Sequence, residues 1–562
     1  MKYLYKKKRL LLIGSVAALH NCACLAFPFA LMWITDSITS GNYGKFSAYV
    51  VFAVTSVTIQ IALHILLEKS VRKYTAFCMT SLKSGLIKAI LSFKYGFFAE
   101  SDRAEYNSFL INDIKMLEDK YYGQIIGIVK QSSLLLFACV SIFLLKPIFL
   151  AVVLAVYVLS VMIPLAFKRK IVSANRELVE ANQVCTKAYD EILSGFSLIK
   201  AHNLKEIMYK LHMPSIKTAN DKNAKLGFWL SAANATLAFM SILLTLSVFV
   251  IGGRLVMSGL LTVGALVALA QLLVYAIDPI IGIIGAKNSI NSVRSVIGNC
   301  DQIMGYKEEV SVGIGEEAAE LTGVALNKVS FGYSGGKNGE NKVISDLTYE
   351  FAAGKKYALV GHNGSGKSTL LKILAGFYDS YEGDICLGGI SYRRIPQELL
   401  SSKIAYMEQD SFLFDLPILD NITLLKDYDD TQVDEAVAKA GLDGLVCVRS
   451  GESASTLKLS GGEKQRVSMA RGMLTIKGAE IILADEPAAA LDKSGSLKFD
   501  EMIRSVENKL CIVVTHKLDK TLEMYDTVLV MDDGKIVESG PYKQLVSDGK
   551  YFSEMKEIRL AS

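Results

Sequence analysis

Charge is scarce in this chain. Only 21% of its residues are Asp, Glu, Lys or Arg, against 51% hydrophobic, and the mean hydropathy is +0.33. Soluble proteins of 562 residues rarely look like this, so membrane spans are expected beside one or more further domains. A strong excess of one sign is missing too. The 61 basic and 56 acidic residues leave +5, too mild for a nucleic-acid binder. The nine cysteines form no CxxC pair and no zinc spacing, which leaves reduced thiols packed as small hydrophobes. Lys2, Lys6, Lys7, Lys8 and Arg9 precede an apolar run from Leu10 to about Ile34, as in a secretory signal. No small-residue cleavage site closes that run, and it is long enough to cross a bilayer, so it reads as an uncleaved first span.

Five further apolar runs follow, giving spans near Leu10–Thr35, Phe46–Leu67, Ile125–Leu145, Ile148–Phe167, Phe228–Val256 and Thr262–Ile284. Basic residues concentrate in the N-terminus and in two long segments, Glu68 to Gln124 and Lys168 to Gly227, whereas the other connections hold few. The positive-inside rule then puts both termini in the cytoplasm. The two inner segments are too long for turns, and Arg176–Glu191 has helical spacing without proline. Spans two to five are therefore expected to continue into the cytoplasm as long helices. Few polar groups interrupt the spans: His20, Asn21, Gln60, Gln271 and Asp278. Intramembrane polar and ionisable residues are functional candidates by default, which makes His20, Gln271 and Asp278 candidate cargo contacts. Hydrogen bonds between helices are the alternative. Pro279 after Asp278 is expected to kink the sixth span.

From Asp301 to Glu320 glycine and acid replace apolar periodicity, which reads as a connector. The expected division is 1–300 for the membrane domain, 301–320 for the linker and 321–562 for a second domain.

That second domain carries a phosphate-binding loop. The apolar run Tyr357–Gly361 leads into Gly361, His362, Asn363, Gly364, Ser365, Gly366, Lys367, Ser368 and Thr369, then a helix to Ala375. Glycines let backbone N–H groups curl around phosphates, and the helix N-terminus adds its dipole. Lys367 is expected on the β- and γ-phosphates of ATP and the Ser368 hydroxyl on magnesium. A second apolar run, Ile481–Asp485, ends in adjacent acids. Two carboxylates at a buried strand tip are costly unless a cation needs them. Asp485 is expected to hold magnesium through water and Glu486 to activate the attacking water.

Leu459-Ser460-Gly461-Gly462-Glu463-Lys464-Gln465-Arg466 resembles the signature of ATP-binding cassette transporters. The membrane half resembles the exporter-type domain of that family by architecture. The resemblance implies an all-α six-helix transmembrane domain followed by an α/β, RecA-like phosphate-loop ATPase with a helical signature subdomain. It implies that Ser460, Gly461 and Gly462 grip the γ-phosphate of ATP held by a partner chain. By the same resemblance Tyr333 stacks on adenine, Gln409 joins the magnesium shell and senses the coupling helices, Ala490-Leu491-Asp492 communicates across the dimer, and His516 contacts the γ-phosphate. Phe93–Ser101 and Ser194–Asn203 sit where the family's coupling helices fall. Glu463 stands where glutamine is commoner, Ala489 replaces a frequent serine and Glu408 a usual proline. One cassette cannot close a nucleotide sandwich, so a second half-transporter is implied, identical or not. Membrane lipid is the other implied partner, with no nucleic acid. The expected activity is ATP-driven export of an amphipathic compound, lipid or peptide across a bacterial plasma membrane, with import or an ATP-gated channel or regulator as alternatives. No peptidase precedes Leu10, which disfavours a processing transporter.

Overall fold

Long apolar runs with few helix breakers have no polar backbone partner in lipid and fold as long helices. They are α1 (Lys7–Thr39), α2 (Phe46–Leu91), α4 (Gly123–Leu145), α5 (Phe149–Ser194), α7 (Lys205–Met257) and α8 (Val263–Ser292). Short helices α3 (Tyr95–Ala99) and α6 (Phe196–Ala201) fall inside the two stretches expected to hold coupling helices. The computed structural model describes residues 7–99, 103–306, 323–333, 342–409, 412–442, 444, 459–487 and 493–561. The chain divides into two units. One holds Met1–Ala89 and Ala104–Gly305; the other holds Ile90–Arg103 and Tyr306–Ser562.

Among the described residues, five helical stretches of the first unit are long and apolar enough to cross a membrane: Lys8–Thr39, Tyr43–Leu91, Glu105–Leu145, Lys205–Met257 and Val263–Ser292. The expected fourth span lies on α5, where some side chains fall outside the described set. At 46, 46 and 53 residues, α2, α5 and α7 run about 70–80 Å at 1.5 Å per residue. A hydrocarbon core of about 30 Å cannot contain them. The overhang is charged where it should meet water. Lys222 and Lys225 of α7 grip Glu177 of α5 at 2.7 and 3.0 Å and hold its carboxyl down to about 2. One helical stretch earlier, Lys170 lies 4.2 Å above the Trp229 ring.

Two close approaches fix α8 in this unit. A Cβ on Gly264 would sit 2.2 Å from the Met32 carbonyl of α1, so only glycine fits. The Asp36 carboxylate of α1 accepts the Gly264 N–H at 2.8 Å and the Thr262 hydroxyl at 2.9 Å. It thereby satisfies donors that a helix N-terminus leaves open. Further along, α8 presents a sealed face of Ala268, Leu269, Leu272, Leu273, Ala276, Ile277 and Ile280. The helix Arg294–Gly305 continues past Asp301, into the stretch read as a connector, and buries Val296 and Cys300.

The second unit is built on two sheets. Antiparallel strands β1 (Val324–Phe331), β2 (Ile344–Phe351), β4 (Glu382–Leu387) and β5 (Ile390–Ser391) form one, in the order β2-β1-β4-β5. The other runs β10-β9-β3-β8-β7-β6, using β3 (Lys356–Gly361), β6 (Ile404–Met407), β7 (Ile481–Asp485), β8 (Leu510–Val514), β9 (Thr527–Asp532) and β10 (Lys535–Gly540). From β9 to β6 all pairs are parallel, and only β10 is antiparallel. Continuous apolar strands of this kind are buried on both faces, and β7 and β8 are buried at every position. A smaller core gathers Ile418, Ile422, Val437, Leu442, Leu459, Val467 and Leu474 around α10 (Asp430–Ala440) and α11 (Gly461–Gly478).

Candidate functional site

Parallel strands gather their carboxyl ends on one edge, and ligands bind in the crevice there. Four such ends carry the expected residues. After β3 the chain turns through His362–Gly366 into α9 (Lys367–Leu374). The turn admits little but glycine at two places. A Cβ on Gly361 would lie 2.2 Å from the Met531 carbonyl, and Gly366 has φ +98 with the Val343 carbonyl 2.9 Å from where its Cβ would be. Gly364 also has positive φ, at +84, and Asn363 is exposed on the loop.

The Lys367 side chain is buried and folds back on this turn, donating to the Gly361 and His362 carbonyls at 3.0 and 2.8 Å. Burial pulls its pKa down, opposed by the carboxylates of Glu486 and Asp485. The Ser368 hydroxyl donates to Asp485 Oδ1 at 3.0 Å. Asp485 is 3% exposed, and burial raises its pKa, opposed by the Ser368 hydrogen bond. Next along, Glu486 has φ +46. One carboxylate oxygen lies 2.5 Å from His516 Nε2 and the other accepts from Gln409 Nε2 at 3.2 Å. Residues after β3, β6, β7 and β8 thus converge on a single edge.

This edge fits a magnesium nucleotide. A carboxylate disfavoured by burial beside a serine hydroxyl is an oxygen donor pair suited to a hard cation. The Ser365 hydroxyl is buried in the loop without a hydrogen-bond partner among the described residues, an acceptor or donor left for a ligand. Tyr333 stands at the start of the same helix, its hydroxyl 2.9 Å from Thr369 Oγ1 and its ring 49% exposed.

The signature is elsewhere. Ser460 caps α11 in a reciprocal capping box with Glu463: the Ser460 N–H and hydroxyl meet the Glu463 carboxylate at 2.8 and 2.9 Å. That explains how glutamate serves where glutamine is commoner, since it accepts both donors. Gly461 and Gly462 open the first turn of α11, Gly461 exposed and Gly462 half-buried, and nothing stands within 4 Å of a Cβ placed on Gly461. Ala489 to Asp492 lie outside the described residues.

Of the candidate cargo contacts, Gln271 and Asp278 are exposed, seven residues apart on the face of α8 opposite its sealed one. Among the described residues no ion pair joins Asp278 to Lys287. His20 behaves differently. It is 7% exposed, with its ring 5.4 Å from that of His64 and Cys24 Sγ 3.7 Å from its Nε2. Neighbouring Asn21 donates to the Ser133 hydroxyl of α4 at 2.6 Å. Sequence reading passed over His64, Lys130 and Gln131 as span residues, and Lys130 pairs with Glu68 at 3.6 Å. All three are polar residues inside the apolar runs and are visible in the sequence as such.

Comparison with known proteins agrees with this geometry. A family model described as ABC transporter matches residues 344–489, and one described as ABC transporter transmembrane region matches residues 10–280. The transport/processing ATP-binding protein ComA of Streptococcus pneumoniae is 27% identical over 402 residues, 69% of this chain and 54% of that protein. An ATP-dependent lipid A-core flippase of Francisella tularensis is 33% identical over 269 residues, 46% of this chain and 42% of that protein. The chain spans about half the length of the curated relatives it matches. A solved structure of a bacterial Atm1-family ABC exporter with ATP bound superposes with a TM-score of 0.82 over 99% of both chains at 22% identity, which fixes the fold.

Proposed function

The chain belongs to the ATP-binding cassette transporter family, with an exporter-type membrane region followed by one cassette, and from that premise we propose that it is an ATP-driven exporter working as a dimer. The carrying observation is the convergence of Lys367, Ser368, Asp485, Glu486, Gln409 and His516 on the carboxyl edge of one parallel sheet.

In this reading the loop from Gly361 to Thr369 holds the phosphates of ATP, Lys367 pairs with their charge and Tyr333 stacks on the base. Ser368, Asp485 and Gln409 would hold magnesium, which would supply positive charge against the phosphates. Glu486, held between His516 and Gln409, takes a proton from water as its oxygen bonds the γ-phosphorus. The β–γ bond breaks and ADP leaves with the electron pair. His516 steadies the γ-phosphate. Ser460, Gly461 and Gly462 complete the site of a second half-transporter, a reading supported by their place at the start of a separate helix where Ser460 and Gly461 are exposed.

We also read six spans with both termini in the cytoplasm of a bacterial plasma membrane; the positive-inside pattern and the charged overhang of the long helices support the orientation. The division at 1–300, 301–320 and 321–562 goes with that reading. For cargo we favour an amphipathic lipid or peptide. The relatives' names include a lipid A-core flippase and the lactococcin-A transport/processing protein LcnC, and the exposed face of α8 mixes Gln271 and Asp278 with Val274 and Ile281. The test is reconstitution in inside-out proteoliposomes with molecules identified by mass spectrometry of the purified protein. ATP-dependent accumulation of one of them against its gradient is expected. ATP hydrolysis without accumulation would replace export by a channel or regulatory role.

A further inference from the structure

Helix α9 links two places that the ATPase chemistry treats separately. Its first turn carries Lys367, Ser368 and Thr369, the last bonded to the Tyr333 hydroxyl. Its last turn ends in a Schellman motif: Gly376, at φ +75, donates to the Ile373 carbonyl at 2.9 Å and Phe377 donates to that of Lys372 at 3.0 Å. This sharp stop sets Phe377 and Tyr378 against α3. There the Gly96 N–H donates to the Phe377 carbonyl at 3.0 Å, Lys94 pairs with Asp379 at 2.7 Å, and the Tyr95 ring stacks on Phe377 at 4.7 Å.

From Tyr95 an unbroken run of rings leads back to the nucleotide side. Tyr95 meets Tyr378 edge-on at 5.6 Å and Tyr378 meets Tyr333 edge-on at 5.7 Å, with Phe331 4.9 Å from Tyr378 and 5.2 Å from Tyr333. Of the three tyrosines only the middle one is enclosed. Tyr378 is 8% exposed, while Tyr95 and Tyr333 are 41% and 49% exposed. Enclosure leaves Tyr378 one packing position, so the tilt of Tyr333 depends on what presses Tyr378 from the other side. Edge-to-face pairs have definite preferred geometry, and a close-packed interior transmits a shift instead of absorbing it.

We propose that Tyr95 acts through Tyr378 as a positioning residue for Tyr333, so that the seating of α3 and the grip on adenine form one linked equilibrium. The proposal rests on the reading of Tyr333 as the adenine shelf. Linkage makes it reciprocal: adenine binding steadies α3, and a well-seated α3 tightens adenine binding by the same factor. Any nucleotide with the base then reports to the loop helix, whether or not its γ-phosphate is present.

Full-length protein in nanodiscs tests this with ATP and with inorganic tripolyphosphate, which lacks the base, each competing against a fluorescent ATP analogue. Tyr95→Leu is expected to weaken ATP about two- to tenfold, the range for losing one aromatic pair, to act on KM more than kcat, and to leave tripolyphosphate unchanged. Tyr95→Phe should restore ATP binding, which separates ring contact from misfolding. In a Tyr333→Leu background Tyr95→Leu should cost nothing more, because the shelf is already gone. If Tyr333→Leu leaves ATP affinity unchanged, the adenine reading itself fails and the linkage with it. If Tyr333→Leu weakens ATP but Tyr95→Leu has no effect, adds fully in the double variant, or weakens tripolyphosphate equally, the linkage is overturned and the adenine reading stands.

Discussion

The Glu486 carboxylate lies 2.5 Å from His516 Nε2, and the Glu486 backbone sits at φ +46, a conformation residues with a Cβ seldom adopt. Such strain, of order 1–3 kcal/mol, persists where surrounding structure fixes it. Here the Glu486 N–H donates to the Val514 carbonyl of β8 at 3.2 Å, two residues before His516. The strand that supplies the histidine therefore also pins the glutamate.

Removing the basic oxygen should stop chemistry and spare binding. Glu486→Gln is expected to keep ATP affinity and lower turnover about 10²–10⁴-fold. Steady-state phosphate release and nucleotide titration check it together. Near-normal hydrolysis would remove Glu486 from the base role. Lys367→Ala should instead weaken nucleotide binding, since a phosphate-paired charge is lost.

Asp485 carries a pH signature. Burial raises its pKa above the ordinary carboxylate value, so between the unfolded and folded values the native state binds more protons than the unfolded chain. Stability attributable to this group falls as pH rises through that window. Asp485→Asn keeps an oxygen for the Ser368 hydroxyl and removes the charge. Without nucleotide it should raise Tm at neutral pH, the gain shrinking as pH falls, and it should abolish the extra stabilisation by magnesium nucleotide. Thermal melts at several pH values measure both, and a lower neutral-pH Tm in the variant would contradict the account.

The proposed dimer makes a geometric prediction. Cysteines placed at Ser365 and Gly462 should cross-link between chains when ATP is bound and hydrolysis is blocked. Denaturing gels then show a doubled mass. Cross-links confined to single chains would defeat the shared-site reading.

Packing of α8 on α1 can be tested at Gly264. A methyl group there meets a backbone carbonyl, not a yielding side chain, so Gly264→Ala should cost about 1–3 kcal/mol as overpacking. Lower Tm and yield in detergent are expected. Asp36→Ala should cost roughly 1 kcal/mol by uncapping α8.

If Asp278 meets cargo, Asp278→Asn should shift the cargo concentration that half-stimulates ATPase and leave Tm unchanged. A fall in Tm with an unaltered cargo response assigns Asp278 to the bundle, leaving Gln271 on the exposed face.

Much of the candidate nucleotide site was legible in sequence because it is local. Gly361 to Gly366 is one short connection in which Gly361 and Gly366 leave little room for a Cβ and Gly364 and Gly366 have positive φ, and Asp485 and Glu486 are adjacent. The Ser460–Glu463 cap spans one helical turn. Long spans were legible for the same reason, since lipid demands an uninterrupted apolar helix. What the tertiary structure decided was which distant residues meet. Gln409 and His516 reach Glu486 only because β6, β7 and β8 pair in parallel register, an order no local pattern encodes. In the sequence His20 was open between a cargo contact and a bond to a neighbouring helix, and the fold packs it against His64 and Cys24. Sequence periodicity tells which residues share a helix face; which neighbour covers that face depends on contacts between segments far apart in the chain, and those form only when the bundle and the sheet close.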